Sequence, residues 1–440
     1  MEGGTSILTL LVCIALTKPS FGVFGEEMFK REHSPVGFKV GISDDEIFKT
    51  LLKKILQYAN SGDYKILFQM NVQGVSRTCR VRKEFLTGLT KEEKAHFVNT
   101  VKTAASTEPY KTRYENLLTI HKRLFYRGIH TQKYFLPWHR WFLVEYENIL
   151  REIDSDITVP YWDWSLVANE IFDNDFWATD ESGFGEDGDP AKSSCVQTGP
   201  FRRGEFSLIQ SAGGGCLTRN FNGRVQDAVQ VQRLLSYSAK EFFYFEEQLR
   251  VDFHDNFHCC IEGTMCSTDA ASAPEFFEHH GFIDKIWSDW QEKGNDYQFS
   301  SLFMGIDAKM LATAYLPRDY LDLKHMPGGV CVKYEDPRRV VFENLKGLSF
   351  EELKNIPSQP LPEIARKAME LFNVPRSVVV RVSNLRERFQ PNRVVQNSKL
   401  KGLDGVFGFE LSAVEKVKAT KTRLESDMVE SSSDSSEITQ

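Results

Sequence analysis

Histidine clustering constrains the fold of this 440-residue chain more than any other feature of its sequence. Seven of the ten histidines lie in three short stretches, residues 121–139, 254–258 and 279–280, and all seven tryptophans lie between Trp138 and Trp290. Imidazoles surrounded by large aromatic side chains suggest a buried metal site. We therefore expect a fold in which the three stretches converge on metal.

Two of these stretches have spacings that suit a single metal ion. His254 and His258 are four residues apart, so on a helix they share one face and can bind the same ion. His279 and His280 are adjacent and point about 100° apart on a helix, so one is expected to bind and the other to support it by hydrogen bonding. Asp284, four residues after His280, is placed to accept a ring N–H and fix the tautomer.

The remaining stretch supplies three histidines for a second ion. His121 lies on a predicted helix over residues 114–125, His130 lies in a loop, and His139 lies at the start of the next helix. Di-iron bundles use a Glu-x-x-His pattern and structural zinc usually recruits thiolates, and neither fits three plus three imidazoles. A zinc-protease motif would need Glu where Asp255 stands. Because imidazole suits copper, the residues indicate two copper ions with three histidines each.

Apolar periodicity predicts a mainly α core. Thr90-Lys-Glu-Glu93 is a capping box that opens a helix running to about Ala104. Further helices are predicted over residues 43–59, 114–125, 138–153, 225–245 and 274–290, with a long loop over 173–215. After about residue 336, a second capping box (Ser349 to Glu352) and an amphipathic stretch at 361–372 alternate with strand signals at 340–342, 378–382 and 406–409. This alternation predicts a smaller mixed α/β C-terminal region.

Composition divides the chain into four segments. Residues 1–22 hold a ten-residue apolar run, Ile7 to Leu16, which is typical of a signal peptide and too short to span a bilayer. We predict a metal-binding domain over residues 23–336, a C-terminal domain or extension over 337–425, and an acidic, serine-rich disordered tail over 426–440. A net charge of only −7 without a long basic run makes nucleic acid a poor partner, and no later apolar run predicts a membrane anchor.

Cysteine usage agrees with an oxidising compartment. Seven cysteines remain after the predicted signal peptide, so most should pair and one should be left over. Cys195 with Cys216 is one plausible pair, and Cys266 with either Cys259 or Cys260 is another. We therefore expect a secreted protein, or one of the secretory-pathway lumen.

Several longer motifs resemble those of tyrosinases. The segment IHTQKYFLPWHRWFLVEYENIL, followed by ITVPYWDWS, is similar to the copper A region of that family. The segments FHDNFHCCIEGTM and PEFFEHHGFIDKIWSDWQ are similar to the copper B region, and VRKEFLTGLTKEEKAHF resembles the segment that precedes copper A in animal tyrosinases. The resemblance covers roughly residues 81–334.

The resemblance implies a four-helix bundle with a pair of copper ions at its centre. It implies a secreted enzyme that o-hydroxylates small monophenols and oxidises o-diphenols to o-quinones with O2. It places His279 beside the site rather than on the metal. The implied copper ligands are His121, His130 and His139 for copper A, and His254, His258 and His280 for copper B.

One position departs from the pattern of many tyrosinases. They carry Asn directly after the first copper B histidine, where it helps to orient a water that deprotonates the phenol, whereas this chain has Asp255. A carboxylate there could act as a base itself, or could restrict the enzyme to diphenols. Glu246 and Glu247, upstream on the same predicted helix, are candidates for the partner acid.

The sequence leaves other functions open beside the phenol oxidase. One is a catechol oxidase without monophenol activity, and another is a dioxygen carrier, because haemocyanins share this copper site. A third is a matrix protein that has kept the fold and lost turnover. In a carrier the C-terminal segment would cover the site, and in an enzyme the same segment could be a removable pro-domain.

Overall fold

The structure, a computed structural model, describes residues 79–388. The α-helices are α1 Phe85–Gly88, α2 Lys91–Ser106, α3 Tyr110–Leu124, α4 Phe135–Ile153, α5 Ala228–Leu235, α6 Phe242–Gln248, α7 Asn256–Ile261, α8 Phe276–Gln291, α9 Asn295–Gln298, α10 Ser301–Met304, α11 Val340–Leu345, α12 Phe350–Lys354, α13 Arg366–Leu371 and α14 Arg376–Arg388. The strands are β1 Arg80–Arg82, β2 Gly188–Asp189, β3 Cys195–Val196 and β4 Val332–Tyr334. The predicted signal peptide, the helix at 43–59, the strand at 406–409 and the tail lie outside the described residues.

Local capping starts the helical body where the sequence predicts. Thr90 Oγ1 accepts a hydrogen bond from the Glu93 backbone N–H at 3.2 Å, and the Glu93 carboxylate accepts one from the Thr90 N–H at 2.8 Å. This reciprocal pair satisfies two donors that the first turn of α2 would otherwise leave unpaired. The predicted capping box is therefore confirmed, and α2 packs its apolar face on α3 and α4.

The core is built around α4, which is buried on nearly every side. Its buried residues include Trp138, Phe142 and Tyr146, and it contacts α2, α3 and α8. A helix that is buried on most of its sides lies at the centre of a domain. With α3, α8 and the continuous segment α6–α7, it forms the predicted bundle of helices, and these segments, together with the loop after α3, carry the histidines of the candidate site.

A π-helical turn, Leu249–Asp255, joins α6 to α7. Sequence periodicity predicts one regular helix over 225–245, but the chain forms α5 and α6 separately, because Ser238 and Glu241 form a capping box that starts a new turn. Inserted π turns occur frequently at functional sites, since the extra residue shifts which side chains share a face. Here the turn contains His254.

Irregular segments are held by disulfides and two-stranded sheets. The predicted loop at 173–215 contains β2 and β3, which pair antiparallel, and three short 3-10 turns (Asp175–Trp177, Pro190–Lys192 and Gln210–Ala212). The predicted Cys195–Cys216 disulfide is confirmed, and of the two partners considered for Cys266 the structure pairs Cys259, which leaves Cys260 as the unpaired cysteine of the described residues. A third disulfide, Cys79–Cys331, adjoins the parallel pairing of β1 with β4. Other 3-10 turns are Trp164–Val167, Ala239–Glu241, Ala270–Ser272, Pro317–Tyr320 and Pro327–Gly329.

The predicted strands of the C-terminal region are wrong in the part that the structure describes. Residues 340–342 begin α11 and residues 378–382 lie in α14. Valine-rich runs favour strands, but β-branched residues carry only a small helix penalty that tertiary packing overrides. Val341 and Phe342 pack on α5, and Val382 is fully buried. The capping box at Ser349 and Glu352 is confirmed. Among the described helices, none has the length and apolarity to cross a bilayer.

Candidate metal centre

Four helical segments bring the seven clustered histidines together. His121 comes from the last turn of α3, His130 from the loop after it, and His139 from the beginning of α4. His254 comes from the π turn and His258 from α7, and α8 supplies His279 and His280. They form two groups, one of His121, His130 and His139, the other of His254, His258, His279 and His280, and in each group one ligand atom per residue lies within 4.8 Å of the others.

The group on α7 and α8 has three ring nitrogens that face one another. The Nε2 atoms of His254 and His258 are 3.1 Å apart, those of His258 and His280 are 3.4 Å apart, and those of His254 and His280 are 3.3 Å apart. His258 donates through Nδ1–H to the Met265 carbonyl at 2.9 Å. In a neutral imidazole, a proton on Nδ1 leaves a lone pair on Nε2. Converging lone pairs repel unless a cation lies between them.

The other group has the same chemical character. The Nδ1–H groups of His130 and His139 donate to the backbone carbonyls of Phe125 (3.1 Å) and Phe135 (2.8 Å). These bonds leave Nε2 of both rings as an acceptor, and Nε2 of His139 has no partner within the described region. Both ring nitrogens of His121 are also buried and unpartnered there. Buried polar atoms without partners are rare, and a metal ion would satisfy them.

The two groups are neighbours. The rings of His139 and His280 stack with centroids 4.6 Å apart, and the rings of His130 and His254 lie 5.8 Å apart. The site therefore holds two metal-sized groups of nitrogens side by side, one from α3 and α4 and one from α7 and α8. This arrangement fits a pair of ions, and an all-imidazole set fits copper.

Burial keeps these imidazoles neutral. Loss of water lowers the pKa of His121, His130, His254 and His280 well below the usual range, and neighbouring histidines lower it further. The pKa of His258 falls to about 4 for the same reason, despite its bond to Met265. A neutral imidazole is the form that binds metal. The residues present are thus ready to act as ligands without first losing protons.

His279 differs from the other six histidines in its hydrogen bonding. Its Nδ1 accepts a hydrogen bond from the indole N–H of Trp164 at 3.3 Å, and its ring stacks on Phe257 at 4.2 Å. In the neutral ring the proton must then lie on Nε2, the atom that would otherwise bind metal. This geometry agrees with the expectation that His280 binds and His279 supports the site.

The prediction that Asp284 accepts a hydrogen bond from a histidine ring is wrong. Asp284 accepts from Arg140 Nε at 2.7 Å and from the Tyr334 hydroxyl at 2.6 Å, and Nδ1 of His280 has no partner in the described chain. The helical spacing does place both residues on α8, but the buried guanidinium of Arg140 is the stronger partner for a carboxylate. Asp284 therefore joins α8 to α4 and β4.

Asp255 lies directly against the site. Its Oδ1 accepts the Nδ1–H of His254 at 2.8 Å, while Oδ2 is buried without a partner in the described region. Burial raises the pKa of Asp255 well above its usual value, and the guanidinium of Arg250 opposes that shift. A carboxylate hydrogen-bonded to a ligand histidine fixes the ring and its tautomer. Asp255 is thus positioned to orient His254.

Glu246 and Glu247, the candidate partner acids, have different surroundings. Glu246 accepts from Arg250 Nε at 2.8 Å. Glu247 forms a bidentate ion pair with Arg381, in which Nε donates to Oε2 at 2.7 Å and Nη2 donates to Oε1 at 2.8 Å. Arg381 belongs to α14, in the C-terminal region, which the sequence analysis did not connect with the site.

Phe372 covers the site. Its ring centroid lies 5.1 Å from His130, 5.5 Å from His254 and 5.7 Å from His258. It follows α13, which packs on α7, and the Asn256 side chain between the two histidines of that segment accepts a hydrogen bond from the Ala365 N–H at 2.7 Å. No motif marked this residue, because a contact so distant in sequence leaves no local signal.

A cavity of about 350 Å³ lies beside Phe372. Its walls include Phe125, His130, Phe243, Glu247 and Arg250. It therefore reaches His130 of the first group and the charged side chains Glu247 of α6 and Arg250 of the π turn. Its volume is within the range of small-ligand sites in proteins.

The chain is similar in sequence to known proteins of the tyrosinase family. The family model for the common central domain of tyrosinase matches residues 111–293. A tyrosinase from Streptomyces lincolnensis is 30% identical over 238 residues, which cover 48% of this chain and 83% of that protein. A polyphenol oxidase structure from Thermothelomyces thermophila matches 64% of this chain and 96% of its own, at 20% identity and a TM-score of 0.45. A deoxygenated hemocyanin from Rapana thomasiana matches 63% and 73%, at 20% identity and a TM-score of 0.43.

Proposed function

This chain belongs to the tyrosinase family, and from that premise we propose that it is a copper-dependent phenol oxidase. The proposed reactions are the o-hydroxylation of small monophenols and the oxidation of o-diphenols to o-quinones, with O2 as the oxidant. The observation that carries the proposal is the pair of adjacent, buried histidine groups with converging or unpartnered ring nitrogens.

The residues that would hold copper follow from these groups. Three would come from α3 and α4 and three from the π turn, α7 and α8, while His279 would support the second set through Trp164. When bound, the copper pair supplies the O2 and electron-transfer chemistry. The proposed ligands are His121, His130 and His139, and His254, His258 and His280.

The protein's own contribution is orientation, exclusion of water and proton handling. Phe142, Phe257 and Phe276 are buried around the histidines, so a phenol bound there would be in a dry, aromatic environment. Asp255 holds the His254 ring through Oδ1, and we propose that its unpaired Oδ2 accepts the proton of the phenol hydroxyl. Glu247 stays a candidate partner acid that is occupied by Arg381 in this form.

The covered state is proposed to be latent. Phe372 occupies the approach to His130, His254 and His258, so a phenol ring cannot reach them while α13 is in place. Replacing Phe372 with Ala in the full chain should raise the catalytic efficiency on an o-diphenol. Phe350→Ala makes the same change on α12 and serves as the matched control. Equal activity of both variants and the unchanged protein would refute the latent state.

Oxygen uptake by the copper-loaded Phe372→Ala protein tests the activity itself. The protein is offered a monophenol and, in parallel, the matching o-diphenol. Uptake with the monophenol supports the full tyrosinase reaction. Uptake with the diphenol alone reduces the proposal to a catechol oxidase, and Asp255→Asn then tests whether the carboxylate causes the restriction. Full copper occupancy without uptake on either substrate contradicts the proposed oxidase.

A dioxygen carrier is the second candidate, and the same cover is the observation that favours it. A carrier needs a metal centre that O2 reaches and phenols do not, and Phe372 blocks larger molecules. Reversible spectral changes on oxygenation and deoxygenation of the unchanged protein, with no phenol turnover by Phe372→Ala, would support the carrier over the enzyme.

Secretion and the segment boundaries complete the proposal. Three disulfides are compatible with an oxidising compartment. We therefore keep residues 1–22 as a proposed signal peptide, 23–336 as the di-copper domain, 337–425 as the C-terminal region that carries the cover, and 426–440 as a solvated tail. Sequencing the N-terminus of the secreted protein checks the first boundary.

A further inference from the structure

The C-terminal region places two different chemical groups on the site. One is the Phe372 ring, which lies over the histidines, and the other is the Arg381 guanidinium, which lies on Glu247. The C-terminal region thus presents an aromatic ring and a cation, and a small phenol with a positive charge carries the same two groups. We propose that the open site prefers phenols that carry a positive charge, such as an ammonium group, and that Glu247 binds this charge. This inference rests on the proposed phenol oxidase and names its substrate class.

The Glu247 carboxylate has one cationic hydrogen-bond partner among the described residues. Its side chain is only 3% exposed, yet both carboxylate oxygens accept from Arg381, and no other charged hydrogen-bond partner of Glu247 is found among residues 79–388. Moving α14 away would remove this cationic partner from the carboxylate, which also lines the cavity beside Phe372. A carboxylate that has lost its bidentate partner attracts another cation, so the open protein can bind a replacement cation there.

The other charges around the cavity do not supply that replacement. Arg250 lines the same cavity, but its single positive charge is shared, because its Nε donates to Glu246 at 2.8 Å and the carboxyl groups of Asp255 and Glu247 also attract it. Glu247 then contributes the excess negative charge of this wall. A phenol with a carboxylate would be repelled, and a phenol with an ammonium group would be attracted.

An aromatic surface assists the same selection. The Arg381 guanidinium lies 5.3 Å above the ring of Phe243, which is 43% exposed and also lines the cavity. A cation over an aromatic face gains further attraction, and an anion does not. The cavity of about 350 Å³ already has the volume of a small-ligand site, before the space that Phe372 would vacate is added.

Three phenols of different charge provide the test on the copper-loaded, full-length Phe372→Ala/Arg381→Gln protein, in which the Phe372 ring is removed and the Glu247 carboxylate is released from Arg381. The probes are tyramine (cationic), 4-methylphenol (neutral) and 3-(4-hydroxyphenyl)propionate (anionic). We expect kcat/KM to be about tenfold higher for tyramine than for 4-methylphenol, mainly through KM, because a charge-assisted hydrogen bond contributes at least that factor. The anionic probe should be the poorest, and added salt should narrow the differences.

Substitutions assign the preference to Glu247. In this double variant, Glu247→Gln should bring the ratio of the kcat/KM values for tyramine and 4-methylphenol close to one. Restoring Arg381 should lower the ratio, because the guanidinium again occupies the carboxylate, and Arg376→Gln at an exposed position of α14 should leave the ratio unchanged. A ratio that Glu247→Gln does not alter, or a preference for the anionic probe, would overturn the inference while leaving the oxidase intact.

Calorimetric titration with the same probes separates this inference from the proposed oxidase. Tighter binding of tyramine that depends on Glu247, in a protein that turns over no phenol, would support the binding site and contradict the oxidase. Equal binding of tyramine and 4-methylphenol would overturn the charge preference, with or without turnover.

Discussion

Removing the Asp284 carboxylate should destabilise the fold without emptying the metal site. In the structure this carboxylate joins three elements, since it accepts from Arg140 on α4 at 2.7 Å and from Tyr334 on β4 at 2.6 Å, and lies 3.7 Å from Arg82 on β1. Arg140 and Arg82 are both fully buried. The Asp284→Ala variant would leave Arg140 with only neutral acceptors, from Gln291 and the backbone of residues 320–321.

The size of the effect follows from that loss. Breaking a buried ion pair by removing one partner costs about 3–5 kcal/mol, because the other charge stays buried without compensation. For a domain of this size, such a loss lowers the melting temperature by roughly 10 °C. Arg140 also stacks on Trp287 at 3.7 Å, which keeps the guanidinium in place and prevents it from escaping to solvent.

Differential scanning calorimetry and metal analysis of one sample measure both effects. Asp307→Ala breaks an exposed pair with Arg318 and is the matched control, with an expected change of about 0.5 kcal/mol or less. Asp284→Ala should keep the copper content of the unchanged protein when it is measured well below its melting temperature. An unaltered melting temperature with a loss of copper would refute the structural role and restore the sequence-based link between Asp284 and His280.

Three other measurements probe separate features of the chain. Burial raises the pKa of Asp163 to about 7, so the folded state holds a proton that the unfolded state releases near pH 4. Stability should therefore fall as pH rises from about 4 to about 7, and Asp163→Asn should remove up to roughly 4 kcal/mol of that fall in denaturant titrations at several pH values. Replacing Cys79 and Cys331 with Ser opens a 252-residue loop and should cost about 5.5 kcal/mol, read from the same kind of titration against the unchanged protein. His258→Ala should roughly halve the copper bound per chain by elemental analysis, whereas His325→Ala, at an exposed histidine, should not.

The sequence predicts local structure best where the signal is itself local. The capping boxes that begin α2 and α12 rest on residues three apart, and both occur as predicted. The histidine groups could be predicted for a related reason. Imidazoles four residues apart share a helix face, and few functions other than metal binding require so many histidines. The π turn at His254 was not foreseen, since apolar periodicity does not distinguish an inserted residue from a regular helix.

Features that depend on contacts between residues far apart in the chain could not be predicted from the sequence. The valines at 378–382 favour a strand by propensity, but α14 packs on α6 and the π turn and buries Val382 fully, which decides for a helix. Asp284 has a histidine one turn before it, yet binds an arginine 144 residues away. The pairing of Glu247 with Arg381 spans 134 residues and joins two segments that share no motif.

The cover of the site, formed by α13, Phe372 and α14, contacts the two halves of the site through different kinds of interaction. Its polar contacts fall on the segment that carries His254 and His258, through Asn256, Glu247 and an ion pair between Lys367 and Glu262. Its contacts with the other half of the site are aromatic, from Phe372 to Phe125 and His130. Aromatic contacts can be replaced by a phenol ring, and the bidentate pair of Glu247 with Arg381 can be replaced by another cation. A substrate that supplies both groups would therefore compensate for both losses when the cover moves, and a neutral phenol would compensate for only one.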